Sequence, residues 1–168
     1  MVIKSDILLK GDSWNTVVEN MKGIFSERTN YSIFMLALSM GIMYDKRLNE
    51  IKNSDDENKS LSVPRNVINN NDNGKLDFYF QAAILSTRTE NYSEERRLEL
   101  AFADEVDFNK ISFLVEFANF GITKLQELIG ISELDTMNKI KDFCSSSVEG
   151  RNFDIDDLPD VYLFSNEE

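Results

Sequence analysis

The stretch from Tyr31 to Tyr44, YSIFMLALSMGIMY, constrains this chain more than any other, because the apolar side chains at its centre fall on every side of a helix. A helix of that kind must be covered all round. In a chain of 168 residues, cover on that scale takes most of the other helices or a second copy. The segment is therefore expected to be the central helix of a helical domain, or half of a dimer interface. It is too short to span a bilayer, and the opening residues MVIKSDILLKGDSW hold no apolar run of signal-peptide length. A cytoplasmic protein with no membrane partner is the expectation, and the sequons beginning at Asn30, Asn58 and Asn91 then read as chance matches.

The remaining periodicities predict a mainly α fold of about six helices with one short N-terminal strand or arm. Val2 to Leu9 is rich in branched apolar residues and ends at Gly11 and Asp12, which reads as that strand. Trp14, Val17, Val18 and Met21 follow at helical spacing behind the cap candidates Asp12 and Ser13, with Trp14 as a core anchor. Residues 1–51 thus form a strand and two helices. Residues 52–75 are polar and without period, and read as a loop or linker. Its NNNDNGKLD end superficially matches a calcium loop, but Asn69 and Phe80 would occupy ligand positions that need carboxylates. Residues 76–147 predict the C-terminal helices. Leu76, Phe80, Ala83 and Ile84 mark one, Ser93 caps the next with Leu98, Ala101 and Phe102, and a continuous stripe from Ile111 to Ile129 marks the strongest. Gly121 lies inside that strongest helix, where it costs about 1 kcal/mol against alanine, and close approach of another helix would account for it. Cys144 falls on a pattern with Leu134, Met137 and Ile140 and is expected to be a small buried apolar residue.

Charge narrows the function more than any motif does. There are 30 acidic residues against 18 basic ones and no histidine, for a formal net charge of −12. A phosphate backbone is repelled on average by such a chain, so no direct nucleic-acid ligand is expected. The lone cysteine rules out an internal disulfide. After Ser147, seven carboxylates stand against Arg151 alone, half of the net charge, and Phe153, Ile155, Leu158, Val161, Tyr162, Leu163 and Phe164 are interleaved with them. Residues 148–168 therefore look like an acidic tail with apolar side chains to bury, and Phe153, Asp154, Asp156, Asp157, Tyr162 and Phe164 are candidate partner-binding residues. Asp104, Glu105 and Asp107 form the nearest approach to a catalytic cluster and could hold magnesium beside a phosphate-bearing substrate. Helix boundaries are commonly acidic, however, and no nucleophile, phosphate loop or zinc spacing accompanies them. No cofactor and no catalytic or metal-binding residue is assigned.

Two segments, TNYSIFMLALSMGIMYDKR (Thr29 to Arg47) and ISFLVEFANFGITKLQELI (Ile111 to Ile129), resemble a family of small proteins found beside bacterial DNA-phosphorothioation (dnd) and related anti-phage defence loci. Phe34, Leu36, Ala37, Gly41, Lys46 and Arg47 match its first motif, and Glu116, Phe117, Ala118, Asn119 and Gly121 its second; Phe117 and Phe120 replace a tyrosine and a glycine of the family pattern. The resemblance covers about a quarter of the chain. It implies a helical, non-catalytic accessory or adaptor subunit working with a larger nuclease, ATPase or modification subunit. A strand followed by two helices also resembles a ribbon-helix-helix dimer, with Ile3, Ile7, Phe34, Leu38 and Gly121 as a candidate oligomer interface in a homodimer. Two alternatives stand beside it, an acidic DNA-mimic inhibitor from a phage and, further off, a small metal-dependent enzyme.

Overall fold

The computed structural model describes residues 3–25, 29–52, 60–88, 91–103 and 106–148. The chain is mainly helical, with elements in the order β1 (Ile7–Leu9), α1 (Asp12–Met21), α2 (Thr29–Met43), β2 (Leu61–Val63), α3 (Arg65–Asn71), α4 (Lys75–Ser86), α5 (Glu94–Phe102), α6 (Lys110–Glu127) and α7 (Glu133–Val148). Two compact units divide it, Met1–Glu127 and Leu128–Glu168.

In the first unit α2 takes the central place that its composition demands. It packs on α6, α1 and β2, and Ile33, Phe34, Ala37 and Leu38 are fully buried. The crossing with α6 is the tightest in the unit. A Cβ added to Gly121 would overlap the Ala37 carbonyl, and one added to Gly41 would overlap the Phe117 carbonyl. Two small residues, one on each helix, thus bring backbone against backbone. Around this crossing, Trp14 stacks on Phe34 with ring centroids 6.4 Å apart. Rings of Phe80, Phe108, Phe113 and Phe117 join α4 to α6 in edge-on and tilted pairs 5.1 to 5.8 Å apart.

The stretch read as a linker is structured in its second half. Leu61–Val63 pairs antiparallel with β1 in the register Ile7 to Val63, Leu8 to Ser62 and Leu9 to Leu61, and α3 follows directly. Asp6 Oδ1 accepts the Arg65 amide at 2.9 Å, so the N-terminal arm satisfies the first turn of α3. The expectation of a single strand is corrected accordingly: β1 finds its partner inside its own chain. The five residues offered as an oligomer interface are also occupied there. Ile3, Ile7, Phe34 and Leu38 are 6% exposed or less, and Gly121 is buried against α2.

Helix ends show two further differences. Gly11, at φ 115, precedes α1 with no side-chain cap, so Asp12 and Ser13 lie inside the helix. Ser93 does cap α5, its hydroxyl accepting the Arg96 amide at 3.2 Å. In the second unit, Thr136 Oγ1 accepts the Gly130 amide at 2.9 Å, while Asp135 accepts the Ile131 amide at 3.0 Å. These bonds fix the turn into α7. Cys144 on that helix is exposed and not buried as expected; Thr136 is buried and Ile140 and Phe143 are half-buried.

Candidate docking surface

The polar residues that drew attention in the sequence are mostly consumed in holding the first unit together. Arg47 Nη1 donates to Glu116 Oε2 at 2.9 Å, and its guanidinium lies 4.9 Å from the Phe113 ring centre. Asn119 is buried, and its amide is used on both sides. Its Oδ1 accepts Trp14 Nε1 at 2.9 Å, while its Nδ2 donates to the carbonyls of Leu48 and Asn49 at 3.1 and 3.3 Å. Arg47, Glu116 and Asn119 lie with Gly41 and Gly121 in the two segments Thr29 to Arg47 and Ile111 to Ile129. They clamp α2 and the turn after it onto α6. Asp72, in the calcium-like stretch, accepts the Leu76 amide on both oxygens at 3.2 Å and the Tyr31 hydroxyl at 3.1 Å. Its carboxylate is spent on the start of α4.

Clefts lie among the described residues of this unit. One of about 350 Å³ lies between β1, residues 49–51 and α6, one of about 250 Å³ flanks the Arg47–Glu116 pair, and one of about 190 Å³ lies beside Asp72. Among the described residues no group of three or more carboxylates or thiols is placed to share a metal ion. Asp107 is exposed, and Asp104 and Glu105 lie outside the described residues, as do Phe153, Asp154, Asp156, Asp157, Tyr162 and Phe164.

The feature that stands out is apolar and exposed. On α4, Leu76, Phe80, Ala83 and Ile84 form the buried stripe. Successive residues turn about 100° around a helix, so Phe78 and Leu85 fall close together on the opposite side. They are 67% and 43% exposed. α5 buries Leu100 and Ala101 and turns Leu98 and Phe102, one turn apart, outward at 47% and 63% exposed. The two helices run antiparallel, tied by Gln81 Nε2 donating to the Ala101 carbonyl at 3.2 Å and by Arg97 Nη1 donating to the Ile84 carbonyl at 2.6 Å. In both, the residues facing the neighbouring helix separate the buried stripe from the outward one in the same rotational sense. For an antiparallel pair that places Phe78 and Leu85 beside Leu98 and Phe102 on one face. Two rows of large apolar side chains thus lie exposed on either side of the shallow furrow that any two packed helices leave between them.

The sequence carried a signal for this surface. Phe78 and Leu85 are surplus to the buried stripe of α4, and large apolar residues on the side opposite a complete stripe have no place in the helix's own core. The pattern of α5 predicts Leu98 and Phe102 on its covered stripe with Ala101, whereas both are exposed.

Comparison with family models, with curated proteins and with solved structures finds no match for this chain.

No helix among the described residues is long and apolar enough to cross a membrane.

Proposed function

We propose that this chain is a non-catalytic adaptor that holds another protein, acting in the cytoplasm as an accessory subunit of a bacterial anti-phage defence complex whose larger member is a nuclease, ATPase or modification subunit. The observation that supports it is the exposed face of α4 and α5. Phe78 and Phe102 are each close to two-thirds exposed, and clustered large apolar side chains on a protein surface mark sites of association. The defence setting rests on the resemblance of the α2 and α6 segments alone. The candidate partner-binding residues between Phe153 and Phe164 belong to the same reading as a second, acidic attachment.

Charge distribution favours this reading over a phosphate mimic. Within the described residues 15 lysines and arginines stand against 16 aspartates and glutamates, a net charge of −1, so −11 of the total −12 belongs to the other residues. A duplex mimic built on the described helices would need rows of carboxylates there, and those helices are close to neutral. The test is to express the chain, tagged, with the genes that flank it and to purify it at moderate salt. An adaptor recovers a neighbouring protein in fixed proportion. Recovery of no neighbour sinks the proposal, whereas binding that competes with duplex DNA and collapses steeply with salt supports the mimic.

A further inference from the structure

The groove between α4 and α5 has two unlike edges. Beyond Leu98 and Phe102, the outer side of α5 carries Glu95 and Glu99; Glu94 opens the same helix and is exposed. Arg96 pairs with Glu99 at 2.6 Å and offsets its charge, and Arg97 is directed into the carbonyls that end α4. Beyond Phe78 and Leu85, the edge on α4 is formed by Ala82 and Ser86, with Lys75 at its far end. The α5 side therefore keeps the negative charge of Glu94 and Glu95, and the α4 side is nearly uncharged. Phe78 and Leu85 are seven residues apart, about 10 Å along the helix, so the floor matches two turns of a third helix laid between the rows.

We infer that this groove receives an amphipathic helix of a partner protein, with apolar residues at i, i+3, i+4 and i+7 and with lysine or arginine along the single edge that lies over α5. The inference rests on the adaptor reading and gives that partner its chemistry. Apolar burial supplies the attachment, and the one-sided charge fixes which way round the helix sits. A second copy of this chain fits less well, because a two-fold pairing through this face would bring like edges together or set Glu94 and Glu95 against uncharged side chains.

The probe is a synthetic helix of about 18 residues with leucines in that spacing, lysines along one edge and glutamine elsewhere. A matched peptide carries glutamate in place of lysine. Binding to the full chain is followed by fluorescence anisotropy. The lysine-edged helix is expected to bind, the glutamate-edged helix to bind far more weakly, and Leu85→Ser and Phe102→Ser each to weaken the former by about ten-fold. Glu95→Lys reverses the preference between the peptides. All three variants alter exposed side chains, and an unchanged unfolding midpoint verifies that they fold. Equal binding by wild type and Phe102→Ser overturns the assignment, because attraction to carboxylates elsewhere then explains it. Absence of binding overturns it too, as does a wild-type dimer in sedimentation that Phe102→Ser dissolves. If wild type and Phe102→Ser recover the same native neighbour equally well, the groove is wrong while the adaptor role survives.

Discussion

Replacing Gly121 with alanine adds one methyl group to the middle of α6 and sets two effects of opposite sign against each other. Alanine favours a helix over glycine by about 1 kcal/mol, so on a solvent-facing turn the variant would be the more stable protein. At this position the added carbon overlaps the Ala37 carbonyl and lies within 2.9 Å of the Gly41 amide nitrogen. Both belong to the backbone of α2. No rotamer change relieves that overlap, and the two helices must separate at their closest point. Overpacking of a filled core costs about 1–3 kcal/mol when side chains can yield, and more when backbone must move. After the gain in helix preference is subtracted, a net loss of roughly 2–3 kcal/mol is expected, which lowers the melting midpoint by about 5–10 °C in a chain of this size. Gly74→Ala is the comparison. That residue has φ +81 with nothing within 4 Å, so its methyl group meets only the cost of a left-handed backbone, about 1–2 kcal/mol. Thermal unfolding followed by circular dichroism should rank wild type above Gly74→Ala and Gly74→Ala above Gly121→Ala. A Gly121→Ala protein as stable as wild type would show that α2 and α6 do not cross as described.

Three further outcomes are expected. Asn119→Ala strips partners from the Trp14 indole and from the Leu48 and Asn49 carbonyls, at a cost of about 2–4 kcal/mol in urea unfolding; a loss under about 1 kcal/mol would mean the amide is dispensable. Ser93→Ala removes the cap on the Arg96 amide and should lower stability by about 1 kcal/mol, with Ser93→Thr restoring most of it. The carboxyl of Glu95 is held below its ordinary value of 4.5 by its own backbone amide and by the Ser93 hydroxyl. That of Asp135 is held below 3.8 by the Ile131 amide and then by Lys139. Groups with depressed folded values add stability above their unfolded values and lose it as pH falls through the folded ones. Unfolding midpoints should therefore decline below about pH 4.5, and Glu95→Gln should flatten the upper part of that decline; an identical pH profile for the variant would contradict the assignment.

The helices were legible where local pattern and tertiary role coincide. The all-round apolar composition of α2 demanded a central position, the stripe of α6 demanded a long buried face, and a glycine within that stripe pointed to a close crossing. Ser93 announced its helix because capping is decided within four residues. β2 was not legible, since Leu61–Val63 is three residues long and its stability comes from pairing with Ile7–Leu9 more than fifty residues away. α3 was hidden for a similar reason: its first amide is satisfied by Asp6 from the far side of the sequence. Cys144 was misplaced because periodicity tells which residues share a side of α7 and not which side turns inward. The docking face was not read from the sequence: Phe78 and Leu85 are outliers from the stripe of α4, but only the antiparallel pairing of α4 with α5 sets them beside Leu98 and Phe102.

The segment 53–59 is bracketed by fastenings on both sides. Before it, the Lys52 carbonyl accepts the Asp12 amide at 3.4 Å, with the Ile51 side chain against Gly11; after it, Leu61 is paired with Leu9. Lys52 and Leu61 thus hold the chain on either side of residues 53–59, so an affinity epitope inserted there leaves the start of α1 and the β1–β2 pair fastened. This gives experimenters an internal handle for immobilising the protein with both chain ends left native.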